Sequence, residues 1–132
     1  MAHALVKLRS LSKAPKHWPC PVCGTPGRRF RFRWRTGVDA QLGCRAVLKV
    51  RVGKYRPLCG CGSMFESFHP ELPQRSRFSR RVRELVVEGT VRDKLTVEDV
   101  RRRMREDFCV HVSEGTVHNW VMEAGGKNRP EA

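Results

Sequence analysis

Acidic side chains are scarce in the first half of this 132-residue sequence. Residues 1–70 contain 14 lysines and arginines but only two acids, Asp39 and Glu66, and neither acid stands in a recognisable catalytic motif. This scarcity argues against an enzyme that uses paired carboxylates, and we expect no catalytic residues in this chain. The whole sequence carries a formal net charge of +14 at pH 7. A field of that sign and size favours a polyanionic partner.

Long apolar runs are missing as well. No segment approaches the roughly 18 consecutive apolar residues that a membrane-spanning helix needs, so we expect no membrane partner. Residues 1–18 lack the continuous apolar core and the small-residue cleavage site of a signal peptide, which predicts an intracellular, cytoplasmic protein. Because that compartment is reducing, closely spaced cysteines are expected to bind a metal ion rather than to form disulfides.

The sequence contains six cysteines, and four of them form two close pairs. The pairs are Cys20 with Cys23, in WPCPVCG, and Cys59 with Cys61, in PLCGCG. Four thiolates on two tight turns suit the tetrahedral coordination of zinc, so we predict one structural Zn²⁺ held by these four side chains. The one-residue spacing of the second pair is tighter than usual. Cys44 or His69 therefore stays open as the fourth ligand.

Arginines alternate with aromatic residues in RRFRFRWR, residues 28–35. This two-residue period predicts a strand at 29–36, and AVLKVRV predicts its partner at 46–52. We expect the rings of Phe30, Phe32 and Trp34 to pack inward against the apolar side of the partner strand, around Leu48 and Val50. The basic side chains would then form an outward, phosphate-binding surface that consists of Arg29, Arg31, Arg33, Arg35, Lys49, Arg51 and Lys54.

From residue 76 onward the hydrophobic period changes to about 3.6 residues, which predicts helices. Thr96 and Ser113 are predicted to cap two of them, because short hydroxyl side chains accept hydrogen bonds from the free N–H groups of a first turn. A short connection before a capped third helix is typical of a helix-turn-helix motif, with Val117 and Trp120 as anchors. The exposed side chains of that helix would contact DNA: Glu114, Thr116, His118 and Asn119.

These patterns predict an α+β chain in which a small zinc-ribbon β module is followed by a three-helix helix-turn-helix module. The predicted divisions are a loosely held basic N-terminal arm at 1–18, a zinc ribbon at 19–69, a linker at 70–75, a helix-turn-helix at 76–126 and a tail at 127–132. The linker prediction depends on the two prolines of PELPQR.

The order of the motifs resembles the N-terminal region of bacterial and archaeal insertion-sequence transposases of the DDE type. The similar segments are CPVCG, GVDAQL, KVRVGKYRPLCGCGSMF, SRRVRELVV and VSEGTVHNWV, which together span about residues 18–124. Cys20 and Cys23 match the first zinc knuckle of that family. Cys61, Gly62 and Phe65 match its usual CGxxF ending.

The resemblance implies sequence-specific binding of double-stranded DNA, at the terminal repeats of an element or at an operator, and hence a nucleoid-associated location. The catalytic part of that family is a later, ribonuclease-H-like domain with three carboxylates, which we expect to be absent from this sequence. Besides DNA, the implied partner is a second copy of the chain or a transposase catalytic domain.

Three other functions stay open at this point. The chain could be an independent transcription regulator with the same layout. It could be an RNA- or ribosome-associated zinc-ribbon protein, whose rings would stack on bases if they were exposed. It could also be an adaptor whose basic face meets an acidic protein.

Overall fold

The computed structural model describes residues 6–12 and 14–128. Within them a five-stranded sheet is followed by three helices, so the predicted α+β class is confirmed. The strands are β1 (Val6–Leu11), β2 (His17–Pro19), β3 (Pro26–Gln41), β4 (Cys44–Arg56) and β5 (Phe65–Glu66). The helices are α1 (Arg80–Val91), α2 (Val97–Phe108) and α3 (Glu114–Asn128). Residues 129–132 of the predicted tail lie outside the described residues.

The long hairpin of β3 and β4 forms the centre of the sheet. Both strands extend beyond their predicted limits, and the predicted two-residue alternation of burial is clear in β4. β4 pairs antiparallel with β3 along one edge, and it pairs with β1, in parallel, and with the short β5 along the other. β2 pairs antiparallel with the start of β3.

The predicted basic arm is largely part of the sheet. β1 pairs with residues 45–50 of β4, and β2 pairs with residues 26–28 of β3. Between these strands, the Tyr55 hydroxyl donates a 2.5 Å hydrogen bond to the Pro15 carbonyl, and Trp18 stacks on the Tyr55 ring. The expectation of a loosely held arm is therefore wrong for residues 6–12 and 14–18. Residues 1–5 and 13 lie outside the described residues.

The pairing register of the hairpin differs by one residue from the expected arrangement. Trp34 pairs with Arg51, and Arg35 pairs with Val50. Because directly paired residues of an antiparallel ladder point to the same face, Trp34 shares a face with the cations of β4, whereas Arg33 and Arg35 share a face with Val52 and Val50. A slip of one residue moves every side chain of a strand to the opposite face.

The aromatic rings consequently do not form the core of the sheet. Phe30 is 39% exposed and Trp34 is 42% exposed, while Phe32 is half-buried beneath charged groups. The expectation that these three rings pack inward against Leu48 and Val50 is wrong. The core face of β4 is covered instead by a segment that follows β5.

That segment includes residues 70–75, the predicted linker. Its Leu72 is fully buried and packs with Leu48, Val50 and Val52, which are at most 1% exposed. A Cβ atom on Gly37 would lie 2.5 Å from Leu72 Cδ1, so the absence of a side chain at position 37 lets the leucine approach β3. Residues 70–75 therefore contribute to the core and do more than connect two modules.

The three helices enclose a second apolar core. Thr96 Oγ1 accepts a 3.2 Å hydrogen bond from the Asp99 N–H group, and Ser113 Oγ accepts one of 3.1 Å from the Thr116 N–H group, so both predicted caps are confirmed. The buried residues of this core are Ala40, Val82, Val86, Val100, Met104, Val110, Val112 and Val117. Ala40 belongs to β3, so the tip of the hairpin contributes to the helical core.

A buried carboxylate links the hairpin to the helices. The Ser79 hydroxyl, which caps α1, donates a 2.7 Å hydrogen bond to Asp39, and Arg9 Nε donates another of 3.0 Å from β1. Burial alone raises the pKa of Asp39, but these bonds and one from the Ala40 N–H group outweigh it, so the pKa lies below its usual value. The side chain of Asp39 therefore connects β3 to β1 and to the N-terminus of α1.

We expect Leu72→Ala to lower the free energy of unfolding by about 2–5 kcal/mol, because it leaves a cavity beneath β4. The measurement is chemical denaturation of the metal-loaded protein. Leu42→Ala is the matched control, since Leu42 is 73% exposed in the hairpin turn, and it should change stability by less than about 0.5 kcal/mol. Equal effects of the two substitutions would mean that residues 70–75 are a spacer after all.

The lowered pKa of Asp39 predicts a pH-dependent contribution to stability. The carboxylate stabilises the fold above its unfolded pKa of about 3.9, and this contribution is lost as the pH falls through the lower folded value. Asp39→Asn should therefore reduce the free energy of unfolding at pH 7 by about 1–3 kcal/mol. The difference in free energy of unfolding between Asp39→Asn and the wild type should become smaller in strong acid. A gap that stays constant from neutral to acidic pH in denaturation curves would contradict this account.

Candidate metal centre and nucleic-acid interface

The two cysteine pairs meet at the end of the hairpin opposite to its turn. Cys20 and Cys23 lie between β2 and β3, whereas Cys59 and Cys61 lie between β4 and β5. Because β3 and β4 run antiparallel, both loops emerge at the same end of the sheet. The four Sγ atoms all lie within 4.8 Å of one another. They form a cluster that could hold a metal ion.

Tight turns bring each pair of sulfur atoms together. The Gly24 N–H group donates a 2.8 Å hydrogen bond to the Cys20 carbonyl, and the Cys20 N–H group donates one of 2.9 Å to the Thr25 carbonyl. Gly24 and Gly62, each directly after the second cysteine of its pair, have φ angles of 78° and 83°. Glycine adopts this left-handed conformation without strain, so the chain can turn away behind each pair of thiols.

The spacing of the sulfur atoms suits a tetrahedral ion. Metal–sulfur bonds of about 2.3 Å would place the sulfur atoms about 3.8 Å apart. The observed upper limit of 4.8 Å is close to that value. Small side-chain movements would therefore close the four thiols around one ion.

The alternative ligands lie elsewhere. Cys44 begins β4 at the opposite end of the hairpin, and His69 Nδ1 accepts a hydrogen bond from the Glu71 N–H group. Within residues 6–12 and 14–128, the cluster contains Cys59 and neither alternative. Cys109 is exposed at the C-terminus of α2.

The thiols of the cluster shift each other's pKa values. Hydrogen bonding to Thr25, and then to Cys59, lowers the pKa of Cys23 to about 6. Hydrogen bonds with Cys23 and then Cys59 raise the pKa of Cys61 to about 12, and burial acts in the same direction. A divalent cation would displace the protons that remain on the thiols. Metal affinity is therefore expected to rise with pH.

The outward face of the sheet combines aromatic rings with cations. The guanidinium carbons of Arg51 and Arg29 lie 3.7 Å and 4.1 Å from the centroid of Phe32. Lys49 Nζ lies 4.5 Å from the centroid of Trp34. These distances are typical of cation–π interactions. We refer to the five residues as the aromatic face: Arg29, Phe32, Trp34, Lys49 and Arg51.

An irregularity in the hairpin adds Arg29 to this face. The pairing register shifts between Arg29 and Arg31, so Arg29 pairs with Tyr55 while Arg31 pairs with Lys54. A bulge of this kind changes the face to which the following side chains point. Arg29 also donates a 2.6 Å hydrogen bond to the Ala14 carbonyl.

Two arginines of the predicted phosphate-binding surface are engaged within the protein. Arg33 binds Glu66 through Nε at 2.5 Å and Nη2 at 3.1 Å, which raises the pKa of Arg33 and lowers the pKa of Glu66. Arg35 donates to the Ser76 carbonyl at 3.0 Å, and burial lowers its pKa. The predicted row of outward arginines is therefore split, and Arg33 and Arg35 lie on the core side.

Arg31 and Lys54 form a separate basic surface. They line a cavity of about 460 Å³ together with Phe30, Arg56, Met64, Phe65 and Glu66. Arg31 is exposed and Lys54 is half-buried. This cavity lies near the metal cluster, since Met64 and Phe65 follow Cys61 closely in the chain.

The side chains predicted to contact DNA lie at the N-terminal end of α3. Glu114, His118 and Asn119 are exposed, whereas Thr116 is half-buried beside Ser113, with their hydroxyl oxygens 2.8 Å apart. Val117, in contrast, is fully buried in the helical core. The helix therefore has one packed side and one polar side that is open to solvent.

A groove of about 460 Å³ lies between the turn end of the hairpin and the connection from α2 to α3. Val38, Arg45 and Val47 line it on the sheet side, and Arg77, Cys109 and His111 line it on the helical side. Arg45 has the same parity along β4 as Lys49 and Arg51, so the alternation could have identified it. Arg77 and His111 reach the groove through tertiary packing, for which the sequence contains no local signal.

Metal binding by the cysteine cluster should protect its four thiols from chemical modification. With metal bound, a thiol reagent should react rapidly only with the two cysteines outside the cluster, and a strong chelator should expose four more. Cys20→Ser should abolish stoichiometric metal binding, measured by elemental analysis. Cys109→Ser is the control and should retain it. Full metal content in Cys20→Ser would exclude the cluster as the binding site.

Among the described residues, no helix combines the length and the apolar character required to cross a membrane. Comparison with protein-family models, with curated proteins and with solved structures finds no match for this chain.

Proposed function

We propose that this chain binds double-stranded DNA in a sequence-specific manner, as the DNA-binding region of an insertion-sequence transposase does. The observation that carries the proposal is the polar side of α3, which is capped by Ser113 and free of neighbouring elements at Glu114, His118 and Asn119. This is the arrangement in which a recognition helix enters the major groove. The transposase type itself rests on the resemblance of the sequence motifs.

Selectivity is assigned to α3. An asparagine amide can bind adenine through two hydrogen bonds in the major groove, which gives Asn119 the most specific chemistry on this surface. Glu114 Oε1 and His118 Nε2 are 3.7 Å apart, and both side chains would lie beside Asn119. Thr116 has a smaller part, because it is half-buried against its cap.

Sequence-independent affinity is assigned to the sheet. Among the described residues, the side chains of Arg31, Lys54, Lys49 and Arg51 form no ion pair, so they are available to phosphates. Arg29, Arg33 and Arg35 are left out of this role because each is hydrogen-bonded within the protein. Neutralising several phosphates releases counterions, so the logarithm of affinity should fall linearly with the logarithm of salt concentration.

We assign zinc to the cysteine cluster and a structural role to the ion. Four thiolates prefer a soft, tetrahedral ion, and a site filled by four protein ligands leaves no open position for catalysis. The ion would hold the β2–β3 and β4–β5 loops together.

If the chain acts in transposition, a partner domain would carry out catalysis. A second copy of the chain would allow both ends of an element to be bound.

Asn119→Ala should lose preference for the selected sequence by about 1–3 kcal/mol, because it removes base contacts. The site is first isolated from a random duplex pool, and fluorescence anisotropy then compares the selected duplex with a scrambled one. Arg31→Ala should weaken both complexes equally and reduce the salt dependence. Gln74→Ala, an exposed amide outside α3, is the control. Equal losses on both duplexes for Asn119→Ala would remove α3 from recognition.

The exposure of Phe30 and Trp34 favours a second candidate, an RNA-binding protein. Exposed rings beside cations are typical of surfaces that stack on the bases of single strands. Competition between the selected duplex and single-stranded RNA separates the two candidates. Displacement of the duplex by equimolar RNA would favour the second.

A further inference from the structure

We propose that the aromatic face binds an unpaired DNA strand next to the duplex held by α3, so that the preferred substrate is a duplex with a single-stranded extension. This inference rests on the proposed function and specifies its substrate. It starts from the register of the hairpin, which places Trp34 directly opposite Arg51 and Thr36 opposite Lys49. The ring of Trp34 therefore projects from an open sheet face between two cations.

The cations of this face lack acidic partners. Both acids of residues 1–70 lie on the other side of the sheet, where Glu66 binds Arg33 and Asp39 binds Arg9. Within the described part of the chain, the ion pairs do not include Arg29, Lys49 or Arg51. The Arg51 Nε atom is buried without a hydrogen-bond partner. The positive charge of the face is thus left uncompensated, which suits a phosphate backbone.

The rings give this surface a preference for unpaired bases. In a duplex the faces of the bases are stacked on one another, so an exposed tryptophan has no base face to contact. In a single strand each base can stack on a protein ring while basic side chains follow the backbone. Trp34 is the ring with the larger exposed fraction, at 42%, and Lys49 above it is a flexible side chain that can move to a phosphate.

The position of the face relates the unpaired strand to the duplex. Val38, Arg45 and Val47 lie on the same side of the sheet as the aromatic face and line a groove. The opposite wall of this groove includes Arg77, shortly before α1, and His111, shortly before α3. A strand that leaves the duplex at α3 could follow this groove, with Arg45 and Arg77 beside its phosphates. The two parts of the surface therefore fit one continuous nucleic acid better than two separate ones.

The test compares blunt duplex with the same duplex extended by about ten thymidines, a length within the ~4–16 nucleotides that a single-strand-binding fold covers. We expect the extension to tighten binding by about 5- to 150-fold, the range that stacking of one base supports. Trp34→Leu should abolish this advantage, so that blunt and extended duplex bind with equal affinity. Trp34→Phe, which retains a ring, should keep most of it.

Fluorescence provides a readout that a purely structural role of Trp34 would not change. Oligothymidine should quench the tryptophan emission of the wild type, and in Trp34→Phe the quenching should largely disappear although the affinity remains. Leu42→Ala, an exposed apolar residue outside the face, should behave as the wild type. Metal content and circular dichroism of each variant verify that the fold is intact.

Two results would overturn the inference and leave the proposed function in place: equal affinity of the wild type for both duplexes, or an equal loss on both in Trp34→Leu. Binding of oligothymidine without binding of any duplex would instead overturn the proposed function and keep the stacking role of Trp34. Tighter binding of oligouridine than of oligothymidine would overturn the assignment to DNA.

Discussion

The pairing of β3 with β4 decides how charge is distributed over the first half of the chain. A two-residue turn at 42–43 joins the strands, with Gln41 paired to Cys44. Since a turn of this length sets the register, every later pair up to the bulge follows from it. Leu48, Val50 and Val52 of β4 lie on one side of the sheet, where the two acids also form their ion pairs, and the rings lie on the other side with the cations that form no ion pair. The core and the candidate interface are therefore two results of one turn.

The two ends of the hairpin are held by different means. At the end opposite to the turn, the four cysteines bring the β2–β3 and β4–β5 loops together around a site that could hold one metal ion. Such an ion contributes on the order of 10 kcal/mol to folding when it is bound. At the turn, Ala40 enters the helical core, and Asp39 bonds to the cap of α1. The second connection is significant for function, because it gives the sheet face and α3 a defined relation across the groove.

Local features were predictable from the sequence. The caps at Thr96 and Ser113 depend on a side chain and the backbone three residues later, and the cysteine pairs depend on two tight turns. Non-local features were not predictable in the same way. Nothing near β1 indicates that it pairs with β4, and the two prolines around Leu72 suggested a linker although the leucine fills the sheet core.

The side of β3 on which the aromatic rings lie could not be predicted from the alternation alone. The alternation of RRFRFRWR correctly predicted a strand, but either face of a strand can be the buried one. The apolar character of the rings favoured their burial. The register of the strands and the packing of Leu72 instead bury Val50 and Val52. Arginine tolerates the core side because its long stem can lie along apolar surface while the guanidinium reaches Glu66 or a carbonyl group. The turn at 42–43 was the available signal.

The two halves of the chain treat their charges in opposite ways. On the helices most arginines have nearby acids, such as Arg102 with Asp99 and Arg103 with Asp93, and exposed pairs of this kind contribute little to stability but neutralise the surface. On the aromatic face the cations rest on rings, which hold them by about 0.5–2 kcal/mol without cancelling their charge. A cation held in this way still carries its full charge. In the proposed function, a polyanion is therefore attracted to the uncompensated cations of the sheet, while the nearly balanced charge of the helices would leave discrimination to the polar side chains of α3.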